Sequence, residues 1–111
     1  MDISFKTKKL QIRCNSLKDL KREWGDICGG IIRRRLDDLK AAPNLEVMRK
    51  LPGRCHELVG DKKGTLTLDL KHPLRLWFEP NGEGSTQKFD GGLDWAGVTA
   101  VCILGVIDTH E

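Results

Sequence analysis

The sequence predicts an α+β fold, a small, twisted, mainly antiparallel sheet with amino-terminal helices packed on one of its faces. Apolar residues between Ser16 and Ala42 recur at helical spacing, whereas those between Cys55 and Glu79 alternate with polar ones as strands require. Residues 98–107 form an almost wholly apolar run rich in Val and Ile, which suits a buried strand. Pro52 and Gly53 mark the change of period between the helical and the sheet part.

Taken in order, residues 2–5 alternate polar and apolar, an opening strand. Residues 6–14 make one or two helical turns, broken by Asn15. Ser16 offers an N-cap oxygen with Asp19 three residues on, an approximate capping box, and Leu17, Leu20 and Trp24 fall on one face before Gly25 ends the helix. Asp26 is placed to cap the next helix, where Ile27, Ile31, Ile32, Leu36 and Leu39 form an apolar stripe up to Ala42 and Pro43. Gly29 and Gly30 weaken its first turns, each by about 1 kcal/mol relative to Ala. Asn44 caps a short turn toward Leu51. Residues 55–59 and 65–70 are the arms of a hairpin around the turn GDKKG, and Lys71, His72 and Pro73 turn the chain into a third strand over 74–79. In that strand Arg75 and Trp77 face away from Leu74, Leu76 and Phe78. Residues 80–97, rich in Gly, Asp and Asn, are a loop. The last strand, 98–107, is expected at the centre of the sheet and buried on both faces.

At 111 residues the chain is expected to be one domain, and 39% hydrophobic content with three Trp excludes wholesale disorder. No stretch reaches the roughly eighteen apolar residues of a membrane span, and MDISFKTKKL lacks the apolar core of a secretory signal. A cytosolic location without a membrane partner is the expectation. Cys14, Cys28, Cys55 and Cys102 are far apart with no C-x-x-C pair, so reduced thiols are expected, not a metal site or a disulfide. Net charge is +3 but uneven: residues 1–63 carry 16 Lys and Arg against 9 Asp and Glu, and residues 64–111 carry 3 against 7. Such asymmetry suits a surface that meets phosphates or an acidic partner. The run Arg33, Arg34, Arg35 is matched by Asp37 and Asp38 four residues on, which reads as self-neutralised helix surface.

Cleaving an RNA phosphodiester needs a group to take the 2′-hydroxyl proton, a cation for the phosphorane charge and a donor for the leaving oxygen, and no cofactor. His56 and His110 are candidates for the proton transfers, since imidazole titrates near neutrality. Asp108 would share a face with His110 if the extended geometry persists, and a carboxylate there orients the imidazole. Arg75 is either the phosphate binder, by its planar fork, or the partner of Asp69 or Glu79 across the hairpin. Lys62 and Lys63 at the hairpin tip are phosphate contacts or ordinary solvated lysines. Trp77 is a stacking surface or a core residue.

The segments DISFKTKKLQ, RRRLDDLKAAPNLEVMRKLP, CHELVGDKKGTLTLDL, HPLRLWFEP and VIDTH together resemble the HigB branch of the RelE/ParE toxin superfamily, the plasmid maintenance killer proteins of bacterial toxin-antitoxin operons. The similarity spans nearly the whole chain. It implies a twisted sheet with amino-terminal helices on one face and cleavage of mRNA on the ribosome, with neutralisation by a helix-turn-helix antitoxin of the HigA kind. It also implies catalytic or phosphate-binding roles for His56, Arg75, Asp108 and His110. Two positions depart from the family pattern: Thr109 stands where a Tyr is usual, and Val59 where a Lys is common, so that Lys62 or Lys63 would supply that charge. ParE relatives use a similar fold to inhibit DNA gyrase without cleaving RNA, which is the alternative function, with a decayed toxin that retains only antitoxin binding as a third.

Overall fold

A computed structural model describes residues 1–82 and 92–108. Among them the chain runs β1 (Asp2–Phe5), α1 (Lys8–Cys14), α2 (Leu17–Trp24), α3 (Asp26–Ala41), β2 (His56–Glu57), β3 (Leu66–Asp69), β4 (Leu74–Pro80) and β5 (Ala100–Asp108). Short 3-10 turns at Leu45–Lys50, Gly60–Lys62 and Trp95–Gly97 join them. The strands form one sheet in the order β1-β5-β4-β3-β2, with β1 parallel to β5 and the other neighbours antiparallel. This is an α+β fold.

Local chemistry sets the helix ends. Thr7, Ser16 and Asn44 each accept a backbone N–H three residues on, which satisfies a donor that the helix itself leaves open. Gly25, not Asp26, stands at the N-cap of α3. Asp26 becomes the first helical residue, where its charge meets the positive end of the helix dipole. Arg33 pairs with Asp37 at 3.4 Å, as the i,i+4 spacing predicts, while Arg35 reaches across to the backbone of β3.

Helices and sheet share one apolar core. Leu20 of α2 and Ile32, Leu36 and Leu39 of α3 are buried with Leu66 and Leu68 of β3, Leu76 and Phe78 of β4, and Val101 and Ile103 of β5. Trp95 closes one end, 3% exposed, its indole N–H donating to Glu57 at 3.1 Å beneath the Arg49 guanidinium.

Three expectations are corrected. The strand expected over 55–59 shrinks to His56–Glu57, because Arg54 just before it adopts a left-handed φ of 48° and the chain coils into a 3-10 turn at Gly60. The middle strand is β4; β5 lies between β4 and β1. Nor is β5 buried on both faces: Val101 and Ile103 are fully buried, but Cys102, Leu104 and Ile107 are only half-buried, since the core lies on one side of the sheet.

Gly29 has a reason that helix propensity misses. A Cβ there would lie 2.7 Å from the backbone N of Lys21 and 2.8 Å from the carbonyl carbon of Leu20, so α2 and α3 approach closely only because the side chain is absent. Gly30 has open space around it. Gly29→Ala should therefore destabilise the fold by about 1–3 kcal/mol through overpacking, whereas Gly30→Ala should stabilise it by up to about 1 kcal/mol through propensity. Urea unfolding of the two variants beside wild type measures the opposite signs.

Burial pushes the thiol of Cys55 up to about 12, partly offset by Arg49, and that of Cys14 up to about 11, partly offset by Arg33. Both lie above the ordinary 9.0, so above that pH the unfolded chain releases protons that the folded chain retains. Stability from these groups is complete below pH 9 and is lost as pH rises toward 11 and 12. The double variant Cys14→Ala, Cys55→Ala should show a shallower fall in melting temperature between pH 9 and 11 than wild type; equal slopes would exclude the thiols as the cause.

Candidate functional site

The face of the sheet turned away from the core is built by alternation. Leu66, Leu68 and Leu70 point into the core, which sends Thr65, Thr67 and Asp69 to the other side. Cross-strand pairing then makes two adjacent rows. His56, Thr67, Trp77 and Gly105 face one another across β2, β3, β4 and β5, and Asp69, Arg75 and Ile107 form the next row. Two residues along a strand, about 7 Å, separate the rows.

In the first row Trp77 is pinned through its edge. Its indole N–H donates to the Thr65 hydroxyl at 2.8 Å, and that hydroxyl donates to the Lys62 carbonyl at 2.6 Å. The Lys62 ammonium lies 5.8 Å from the ring centroid, within cation–π range. Trp77 is half-buried, which leaves part of an oriented aromatic plane beside a cation. Thr67, between His56 and Trp77, is fully buried, and its hydroxyl has no hydrogen-bond partner.

The second row carries charge. The Arg75 guanidinium donates to Asp69 at 2.6 Å, and the Arg54 guanidinium donates to the other oxygen of the same carboxylate. One carboxylate thus serves two arginines and the cluster keeps a net positive charge. The Asp69 hydrogen bond raises the Arg54 pKa above its ordinary value, so this guanidinium is a permanent cation. A small cleft of about 60 Å³ opens among Arg54, Asp69, His72 and Arg75.

The backbone of Arg54 links the rows. Its carbonyl oxygen lies 2.8 Å from His56 Nδ1. Because a carbonyl only accepts, the neutral imidazole carries its proton on Nδ1 and its lone pair on Nε2, the form that acts as a base through Nε2.

Of the residues singled out in the sequence, the structure therefore brings His56, Lys62, Arg75 and Trp77 to one face, and Lys63 is exposed at the same hairpin tip. Of the two readings of Arg75, the structure shows the ion pair with Asp69, made on this face. Asp108 pairs with Leu74, on the opposite side from Arg75, whose partner is Ile107. The cause is a β-bulge: Trp77 pairs with Gly105 but Phe78 with Ile103, so Leu104 is an extra residue that inverts the facing of everything after it. Thr109 and His110 lie outside the described residues.

Sequence reasoning missed Arg54 and Thr67. An Arg–Asp pair facing across two strands is legible from alternation. Nothing in the string GRCH announces that Arg54 turns left-handed and reaches Asp69. Among the described residues no cluster of His, Cys, Asp or Glu could hold a metal, and no helix is long and apolar enough to cross a membrane. No family model, curated protein or solved structure compared with this chain matches it.

The buried hydroxyl gives a direct check on this face. Thr67→Val keeps the shape and removes an unsatisfied polar group, so it should raise stability by about 1 kcal/mol in urea unfolding, and a loss of similar size would mean the hydroxyl is satisfied in solution.

Proposed function

We propose that the chain is a HigB-like toxin of the RelE/ParE kind that acts in the cytoplasm as a ribosome-dependent endoribonuclease. The observation that carries this reading is the convergence of His56, Arg75, Trp77 and Lys62 on the one sheet face that does not serve the core. A base, a cation for phosphate and an oriented ring are what a single-stranded RNA substrate calls for. The sequence resemblance, which rests on segments that contain these same residues, points the same way.

In this reading His56 takes the 2′-hydroxyl proton through Nε2, and Arg75 stabilises the charge that grows on the phosphate oxygens. Lys62 and Lys63 hold the RNA backbone, and Trp77 stacks on a base in place of the aromatic ring that Thr109 lacks. His110 supplies the second proton transfer, as the resemblance implies; Asp108, on the face opposite Arg75, takes no part in this site. The partners are the ribosome with its mRNA and a helix-turn-helix antitoxin, which would find the basic amino-terminal part of the chain open to an acidic segment.

The test is induction of the protein in bacteria followed by sequencing of mRNA 5′ ends. In-frame cuts that vanish when the adjacent open reading frame is co-expressed support the proposal; growth arrest with intact mRNA and inhibited gyrase would replace it with the gyrase reading. At saturating ribosomes Arg75→Ala should lower cleavage about a hundredfold or more with little change in ribosome binding, because the arginine acts on the transition state. Lys62→Ala with Lys63→Ala should instead weaken binding and flatten its salt dependence.

A further inference from the structure

Arg54 is a non-glycine residue in the left-handed region, with φ of 48°, a strained conformation that persists only where surrounding contacts hold it. What holds it is visible. The exposed Arg54 side chain is tied to Asp69, and Gly53 before it, at φ of 113°, is fixed because its carbonyl accepts the Asp69 N–H at 2.7 Å. The turn so held aims the Arg54 carbonyl at His56 Nδ1. On its other oxygen the same carboxylate holds Arg75. Asp69 is three-quarters buried at its side chain, on a strand paired to both β2 and β4, so it cannot follow a mobile partner.

We propose that Asp69 is the positioning residue of this face: it fixes the Arg75 guanidinium directly, and through Arg54 it fixes the tautomer and ring orientation of His56. The inference rests on the RNA-cleaving reading for its consequence but not for its geometry. Asp69 touches no reacting atom. It couples the proton acceptor to the phosphate binder, so that both are set by one carboxylate before substrate arrives, which is how outer partners sharpen a site. Loss of a carboxylate that sets an imidazole tautomer damages rate more than binding.

The experiment compares wild type, Asp69→Asn, Arg54→Gly and Arg75→Ala. Glycine at 54 tolerates the left-handed backbone but removes the guanidinium, so it cuts only the branch to His56. Nitrogen-15 NMR of the imidazole reads the tautomer. Wild type and Arg75→Ala should show His56 protonated at Nδ1. Asp69→Asn and Arg54→Gly should shift toward the mixture of tautomers of a free imidazole. A wild-type ring protonated at Nε2, or an Nδ1 tautomer unchanged in both Asp69→Asn and Arg54→Gly, overturns the proposal. If Asp69→Asn does not fold, Arg54→Gly alone decides, since the Asp69–Arg75 pair remains in it. Cleavage at saturating ribosomes should fall about tenfold or more in Asp69→Asn, with half-saturation little changed. Absence of cleavage by wild type would remove the RNA reading, and the tautomer results would still decide the role of Asp69.

Discussion

Four polar groups of Asp69 tie the molecule together. Its N–H donates to Gly53, its carbonyl accepts from Arg35 of α3 at 2.9 Å, and its two carboxylate oxygens accept from Arg75 and Arg54. Helix layer, connecting turn and both central hairpin strands thus meet at one residue. The arrangement is exacting at Gly53, where a Cβ would come within 2.8 Å of the Arg35 Nε and 3.0 Å of Leu68, at a φ that other residues resist. A part-buried carboxylate shared by two guanidinium groups keeps its charge paired, whereas removal of the acid would leave two cations facing each other.

The sheet divides its labour by parity. Leucine and phenylalanine on one face are spent on the core, so the residues between them are free to be chosen for other ends. On β3 and β4 those residues are Thr67, Asp69, Arg75, Trp77 and Glu79, with Thr65 just before β3. Hydrogen bonds therefore do there what close packing does on the opposite face. Trp77 is oriented by Thr65, Arg75 by Asp69 and His56 by the Arg54 carbonyl. The partners are a backbone carbonyl, a strand-borne carboxylate and a hydroxyl at the edge of β3, which limits the motion of these groups without enclosing them.

Much of the fold was legible in the sequence because it depends on short-range rules. Ser16 and Asn44 cap as their side chains dictate, the opening strand forms, and the alternation of β4 correctly sets Arg75 and Trp77 apart from Leu76 and Phe78. What escaped depends on contacts distant in sequence or on backbone angles. Gly29 reads as a weak helix residue until the backbone of α2 is known to lie against it. Arg54 reads as a loop arginine until Asp69, fifteen residues on, is known to face it. The half-exposed outer face of β5 was invisible because an apolar run does not reveal which of its sides is covered.

The bulge at Leu104 matters most for the candidate chemistry, because strict alternation from Ile103 would have put Asp108 beside Arg75, and one added residue sends it to the other face. The imidazole on the outer face is then that of His56. Strands about 4.8 Å apart put its Cα about 10 Å from the line of β4, and one row, about 7 Å, separates it from Arg75 along the strands. Thr67 and Asp69 of β3 lie between the positions of His56 on β2 and Arg75 on β4. Imidazole and guanidinium thus stand on different strands, with residues of β3 paired to both. A site of this kind depends on strand pairing as much as on its own side chains: slip of β2 against β3 by one residue would turn His56 to the core face and leave Arg75 and Trp77 where they are.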